Sequence, residues 1–136
     1  MTPEETEALR ANPSELDQKL GVAFIEVTPQ RVVATMPVEG NRQPYGLLHG
    51  GASVALGETL GSVVAALNAT EGRSAVGIEI NATHHRSALT GTVTGIATPV
   101  HVGRTLVTSD IVVSDEQDRR VCTIRLTCLL REARSA

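Results

Sequence analysis

The sequence predicts an α+β fold in which a largely antiparallel sheet carries one long helix. Two strand-like runs come first, one long apolar helix follows, and four strand-like runs complete the chain. The turns between the last four runs are much shorter than the roughly dozen residues that a parallel crossover needs. Neighbouring strands must therefore run in opposite directions, which favours an α+β over an α/β arrangement.

The first part of the chain predicts two short helices and a hairpin. The helices are expected over Pro3 to Arg10 and Ser14 to Leu20, where the Ser14 hydroxyl can cap the second helix. Apolar residues then alternate over 23–27 and 31–36, on either side of the turn Thr28-Pro29-Gln30. This alternation predicts two antiparallel strands.

The rest of the chain predicts the long helix over residues 49–68 and strands over 74–84, 91–101, 105–114 and 119–130. Turns at 88–90, 103 and 115–118 separate these strands. No linker or internal repeat divides the sequence, so we expect a single domain over residues 1–136 that begins with the helical segment 1–20. The polar tail 131–136 is expected to fray.

The most informative segment is QPYGLLHGG over residues 43–51, which leads directly into the long helix. Gly50 and Gly51 place backbone N–H groups at the positive end of the helix dipole, where no side chain blocks an oxyanion. The helix is apolar nearly all round, which predicts burial on most sides, and Glu58 is its one carboxylate. Glu58 is a candidate general base or nucleophile; the alternative is a buried structural glutamate. Gln43 is a candidate donor to a carbonyl oxygen.

The spacing of these groups predicts a site shared between subunits. His49 and Glu58 lie on opposite sides of one helix and roughly 13 Å apart along its axis. We therefore do not expect one chain to bring its own Gly-Gly terminus and its own Glu58 to a single carbonyl group. A two-fold partner with an antiparallel helix can place the segment 43–51 of one subunit opposite Glu58 of the other. Ser62 lies one turn after Glu58 on the same face, where it can position a water molecule.

Several runs of residues resemble the hotdog-fold acyl-CoA thioesterases, and most closely their aryl-CoA branch. These runs are 43–53 with Glu58, VGIEINATH at 76–84, RSA at 86–88 and PVHVG at 99–103. The resemblance spans nearly the whole chain after Ser14. It implies a sheet wrapped around the long helix, a homotetramer built as a dimer of dimers, and hydrolysis of acyl-CoA thioesters with aromatic acyl groups.

The resemblance also implies roles for single residues. Glu58 would be the nucleophile or general base, while the Gly50 N–H and Gln43 of the other subunit would polarise the thioester carbonyl. His49 would orient the site, and Ser62 would position water or contact the substrate. Further substrate contacts would come from His84, Tyr45, Thr59, Arg86, Ser87, Gly103, Arg104 and Thr105, of which the last five would bind the nucleotide end of coenzyme A.

Charge and composition narrow the possible partners. The chain has a net charge of −3 and 41% hydrophobic residues, which argues against electrostatic binding of nucleic acid. Its first residues are acidic and lack the basic start and apolar core of a signal peptide. Glycine and polar residues interrupt the apolar stretches, so no membrane span is expected. We therefore expect a cytoplasmic protein whose partners are acyl-CoA and further copies of itself.

No separate cofactor is expected, because coenzyme A would be part of the substrate. No metal site is expected either. The four histidines show no recognised ligand spacing. Cys122 and Cys128 would lie roughly 20 Å apart on one strand, too far for a disulfide.

Two other functions fit part of the same pattern. One is an acyl-CoA-binding sensor or interaction module that lacks catalysis, against which the presence of Glu58, Gln43 and the two glycines argues. The other is a hotdog hydratase or dehydratase, which would need an acid and a base that reach two adjacent carbon atoms. An aspartate and a histidine at the spacing characteristic of that chemistry are missing.

Overall fold

The computed structural model describes residues 1–134. The helices are α1 (Pro3–Ala11), α2 (Glu15–Leu20) and α3 (Gly50–Asn68), and the strands are β1 (Ala23–Thr28), β2 (Arg31–Pro37), β3 (Arg73–His84), β4 (Thr92–Val102), β5 (Leu106–Ser114) and β6 (Arg120–Glu132). All pairs of neighbouring strands are antiparallel, and the six strands form one sheet in the order β1-β2-β4-β5-β6-β3. The predicted α+β fold is confirmed.

Helix α3 packs closely on the sheet because two of its glycines face strand β6. A Cβ atom at Gly57 would lie 2.5 Å from Ile124 Cδ1, and one at Gly61 would lie 2.7 Å from Leu126 Cδ2. The side chains of Leu56 and Leu60 are fully buried and lie against Gly95 of β4. The absence of side chains at the two glycines therefore sets the distance between the helix and the sheet.

Length and composition alone would also allow α3 to cross a membrane, since an 18-residue window has a mean hydropathy of 1.3. Half of that window, 50%, is buried within the fold, and the helix touches strands from both halves of the sheet. Its packing is that of the core helix of this fold.

Helix α2 is fixed to α3 by a buried carboxylate. Asp17 is only 3% exposed, and it accepts hydrogen bonds of 2.8 Å from both the Ser14 and the Thr59 hydroxyl groups. Ser14 caps α2 as predicted, since its Oγ accepts from the Asp17 backbone N–H. These bonds satisfy a polar group that would otherwise be costly to bury.

The expectation that the chain frays from residue 131 is wrong for the first residues of the tail. Strand β6 continues through Arg131 and Glu132, which pair with Ser74 and Arg73, and Ala133 N donates to Gly72 O at 3.0 Å. Backbone pairing of this kind does not depend on the polarity of the side chains. Residues 135 and 136 lie outside the described part of the chain.

We expect Gly61→Val to destabilise the protein by about 2 kcal/mol or more, because its methyl groups would force α3 away from β6. Valine is at least as good a helix former as glycine, so the loss would report packing rather than helix propensity. Ala66→Val on the half-exposed side of α3 is the control and should cost less than about 1 kcal/mol. Urea unfolding at matched protein concentrations checks this prediction; equal losses in both variants would contradict it.

Candidate active site

One backbone N–H is available at the start of α3. His49 caps the helix with its side chain, as its Nδ1 accepts from the Gly51 N–H at 2.8 Å. The His49 backbone N–H donates to Asn41 O, also at 2.8 Å. The Gly50 N–H has no acceptor among residues 1–134. Of the two predicted glycine donors, Gly50 is therefore the one free to bind a ligand oxygen at the positive end of the helix.

The loop that precedes α3 holds the Gln43 side chain in place. Gln43 N donates to Leu47 O at 2.7 Å, and Gly46, at a φ of 85°, donates to Gln43 O. The Gln43 side-chain carbonyl accepts from the Tyr45 backbone N–H. This contact leaves the side-chain NH₂ group, which has no acceptor among the described residues, as a second donor.

Gln43 and Gly50 line one cleft of about 260 Å³, here called the amide cleft. Its other lining residues include Ser53, His84, His85, Arg86 and Ser87. The His84 ring lies directly against Gly50, since a Cβ atom at that glycine would be 3.0 Å from both Cε1 and Nε2. A larger residue at position 50 would require the His84 ring to shift. The amide cleft thus joins two predicted donors with three of the predicted substrate contacts.

Glu58 lines a second cleft of about 230 Å³, here called the carboxylate cleft, together with residues 77–80 of β3 and Leu126. Its Oε1 would be 3.1 Å from a Cβ atom at Gly77, so the carboxylate lies over that glycine. Glu58 is exposed in the single chain. The prediction that α3 is buried on most sides is therefore wrong for this face, because a one-layer sheet covers only one side of a helix.

Ser62 and Cys128 lie next to Glu58. Burial raises the pKa of the Cys128 thiol, a hydrogen bond with Ser62 acts in the opposite direction, and the charge of Glu58 raises the pKa further. A buried thiol with a raised pKa is a poor nucleophile. Cys128 is therefore not a candidate nucleophile, and Glu58 remains the candidate reactive group of the carboxylate cleft.

A β-bulge in β3 aligns the two clefts on one side of the sheet. Gly77 pairs with Cys128 and Glu79 with Thr127, so Ile78 is the extra residue. Gly77 and His84 are seven positions apart, and in a regular strand two residues at that spacing face opposite sides of the sheet. Because of the bulge, Gly77 lies under Glu58 and His84 lies against Gly50, so both face α3. Bulges that re-aim side chains are common next to active sites.

Within one chain the two clefts stay apart. Gly50 and Glu58 are eight residues apart on a continuous helix, which is about 12 Å along its axis. They line different clefts.

The predicted nucleotide-binding residues are also divided. Arg86 and Ser87 lie at the end of β3 in the amide cleft. Residues 103–105 lie beside the first residue of β3, where Arg73 Nη1 donates to Arg104 O at 2.8 Å. Along the strand this separation is roughly 36 Å, so one chain does not bring all five residues to one nucleotide.

Two other predicted substrate contacts line neither cleft. Tyr45 is 88% exposed, and the Thr59 hydroxyl is engaged by Asp17. Sequence reasoning overlooked Asp17 and Asn41, both of which are buried. Neither has a sequence signal: Asp17 belongs to a short polar helix, and Asn41 follows Gly40 in what resembles an ordinary turn.

Comparisons with known proteins identify the family of this chain. The family model described as "Thioesterase superfamily" matches residues 45–122. The proofreading thioesterase EntH of Cronobacter turicensis is 46% identical over 123 residues, which cover 89% of this chain and 90% of that protein. The crystal structure of thioesterase HI1161 from Haemophilus influenzae is 38% identical, with a TM-score of 0.86 over 97% of this chain and 92% of its own.

A more distant relative is SAV0944 from Staphylococcus aureus, solved as one variant with a glutamate replaced and another with a glutamine replaced. Both structures are 32% identical to this chain, with TM-scores of 0.84. The match with the glutamate variant covers 88% of this chain and 100% of that structure's chain. The match with the glutamine variant covers 87% of this chain and 99% of that structure's chain.

The chain therefore belongs to the thioesterase superfamily and has its hotdog fold. It is an enzyme that hydrolyses thioesters.

Proposed function

We propose that the protein hydrolyses acyl-CoA thioesters, preferentially those with aromatic acyl groups, at sites formed by two subunits. The observation that carries this proposal is the division of the site: the donors of Gly50 and Gln43 line one cleft, and Glu58 lines another. A rigid helix holds them about 12 Å apart. A second copy of the chain can supply the missing half of each site.

The free edge of the sheet offers a way to join the halves. Strand β3 is the last strand of the sheet, and among residues 1–134 only β6 pairs with it. Asn81 and His84 are three paired positions apart on β3. Asn81 and Gly77 are also three paired positions apart, because the bulge residue Ile78 has no partner on β6. A two-fold axis at Asn81 would pair two β3 strands with Gly77 opposite His84 of the partner subunit. Glu58 would then face the amide cleft of the other copy.

The chemistry needs little more than these groups. The thioester carbonyl oxygen would accept hydrogen bonds from the Gly50 N–H and the Gln43 amide, which stabilise the negative charge that develops there. Glu58 of the other subunit would either take a proton from the attacking water or attack the carbonyl carbon to form an anhydride that water opens. When water attacks, the carbon–sulfur bond breaks as the resulting tetrahedral intermediate collapses; when Glu58 attacks, that bond breaks as the anhydride forms, before water opens it. In both routes the thiolate leaves without strong acid assistance because thiols have a reference pKa near 8.5.

The amide cleft also suits the two ends of the substrate. Its Arg86 guanidinium can form paired hydrogen bonds with a phosphate group of coenzyme A. The His84 ring, which lies against Gly50, offers a flat face to an aromatic acyl group. The resemblance to the aryl-CoA branch supports the same preference. It extends the proposal to a cytoplasmic dimer of dimers in which Arg104 and Thr105 come from another subunit than Arg86.

The Staphylococcus aureus relative supports the choice of Glu58 and Gln43. The glutamine and the glutamate replaced in its two variants are the same number of residues apart as Gln43 and Glu58.

We expect Glu58→Gln to lower kcat by a factor of about 10³ or more on every substrate, because the amide can neither attack nor accept a proton. Thiol release from benzoyl-, hydroxynaphthoyl-, short-chain and long-chain acyl-CoA measures the effect, and the aromatic esters should have the highest kcat/KM. Glu71→Gln, an exposed glutamate just beyond α3, is the matched control and should keep wild-type activity. A folded Glu58→Gln enzyme with unchanged kcat would overturn the proposal, and a preference for long chains would overturn its aromatic part.

Mixed oligomers test the shared site directly. Glu58→Gln and Gln43→Ala subunits, each of low activity alone, should regain activity when they are unfolded together and refolded as a mixture. Random pairing would make half of the dimers mixed, and each mixed dimer would have one intact site of two, so about a quarter of wild-type activity is expected. No recovery in mixed dimers, verified by two different affinity tags, would mean that each chain works alone.

The register of the paired edges can be tested by cross-linking. Asn81→Cys should form a disulfide between subunits, because residues on the two-fold axis would have Cα atoms about 5 Å apart. Thr83→Cys is the control on the same face of β3, and its two copies would lie about 13 Å apart. Cys122 and Cys128 are buried and should not cross-link. Efficient cross-linking of Thr83→Cys without that of Asn81→Cys would show a different register.

A further inference from the structure

We propose that Asn41 is a positioning residue that fixes the start of α3 and thereby the direction of the Gly50 N–H. This inference rests on the role proposed above for Gly50. Asn41 does not line the amide cleft, so it would act through the backbone rather than by touching the substrate.

Asn41 ties three segments together at one point. Its side-chain Nδ2 donates to Leu20 O at 2.7 Å and to Pro37 O at 2.8 Å, which are the last residues of α2 and β2. Its own carbonyl accepts from the His49 backbone N–H at 2.8 Å. The residue is 8% exposed, so these hydrogen bonds have little competition from water. His49 directly precedes Gly50, and its backbone is therefore held by a residue that is itself held on two sides.

Helix α2 closes this set of contacts into a ring. Asn41 bonds to the final carbonyl of α2, and Asp17 on the same helix accepts from the Thr59 hydroxyl on α3. The start of α3 at His49 is thus connected through Asn41 and α2 to the middle of α3. Helix α2 carries no proposed catalytic residue. Through this ring of contacts it would help to hold the N-terminus of α3 in place.

The loss of these bonds should lower the rate without removing any catalytic group. Without its side chain, residue 41 would lose its bonds to Leu20 O and Pro37 O and keep, apart from its bond with His49, only the backbone bond from its own N–H to Val38 O. The segment that ends at Gly50 would then gain freedom. A donor that is misplaced by about 1 Å can lower the rate as much as a hundredfold. We expect Asn41→Ala to lower kcat by about tenfold to a hundredfold, with a smaller change in KM.

The chain contains a matched control at the other end of the same helix. Asn68 Nδ2 donates to Pro29 O and to Val64 O, both at 2.8 Å. Asn68→Ala thus removes two hydrogen bonds of the same kind and length, roughly 27 Å away from Gly50 along α3. A purely structural role would make the two variants equivalent in activity per folded molecule.

The experiment compares both variants with the wild-type enzyme at a temperature well below their melting temperatures, where circular dichroism shows them to be folded. kcat and KM are measured with benzoyl-CoA, and amide hydrogen exchange is followed in peptides that contain residues 49–51. Asn41→Ala should lower kcat and accelerate exchange at 49–51, whereas Asn68→Ala should do neither. If Asn41→Ala does not fold, Asn41→Ser, which keeps one short donor, takes its place.

Equal kcat values in the two folded variants, or unchanged exchange at residues 49–51, would overturn the inference. The proposed function would survive that result as long as Glu58→Gln abolishes turnover. A fully active Glu58→Gln enzyme would overturn the proposed function instead, so the two failures are distinguishable.

Discussion

The rigidity of α3 is the constraint on which the rest of the molecule depends. A continuous helix keeps the amide donor of Gly50 and the carboxylate of Glu58 about 12 Å apart, and the close packing of Gly57 and Gly61 against Ile124 and Leu126 opposes bending of the helix. A single chain therefore presents these two groups in separate clefts. In the function proposed above, catalysis on one carbonyl would be a property of a pair of chains.

The sheet edge matches this constraint. An unpaired edge strand normally risks uncontrolled association, and β3 is a long edge whose bulge residue Ile78 is 57% exposed. The same bulge turns Gly77 toward α3, under Glu58, while His84 keeps its contact with Gly50. One local irregularity thus determines both which residues face the clefts and which register of paired strands would bring them together. In the proposed dimer, assembly and chemistry would use the same strand.

The sequence was sufficient to predict the order of elements, because the alternating strands, the apolar helix and the short turns are all local signals. It also predicted that Gln43 and Gly50 would meet, since both belong to one segment. The buried contacts of Asp17 and Asn41 could not be predicted, because each joins residues that are far apart in sequence. The exposure of Glu58 was missed for a related reason: an apolar helix shows that a face is covered, but not whether the same chain covers it.

The chemistry of thioesters explains why a divided site is sufficient. A thiolate needs little protonation in order to leave, so the reaction requires only stabilisation of the oxyanion and a group that attacks or activates water. Gly50 and Glu58 would supply these two functions from two positions on one helix. When two antiparallel copies of that helix face each other, each donor meets the carboxylate of the other copy. One helix with two reactive positions then yields two complete sites, without any second catalytic segment in the chain.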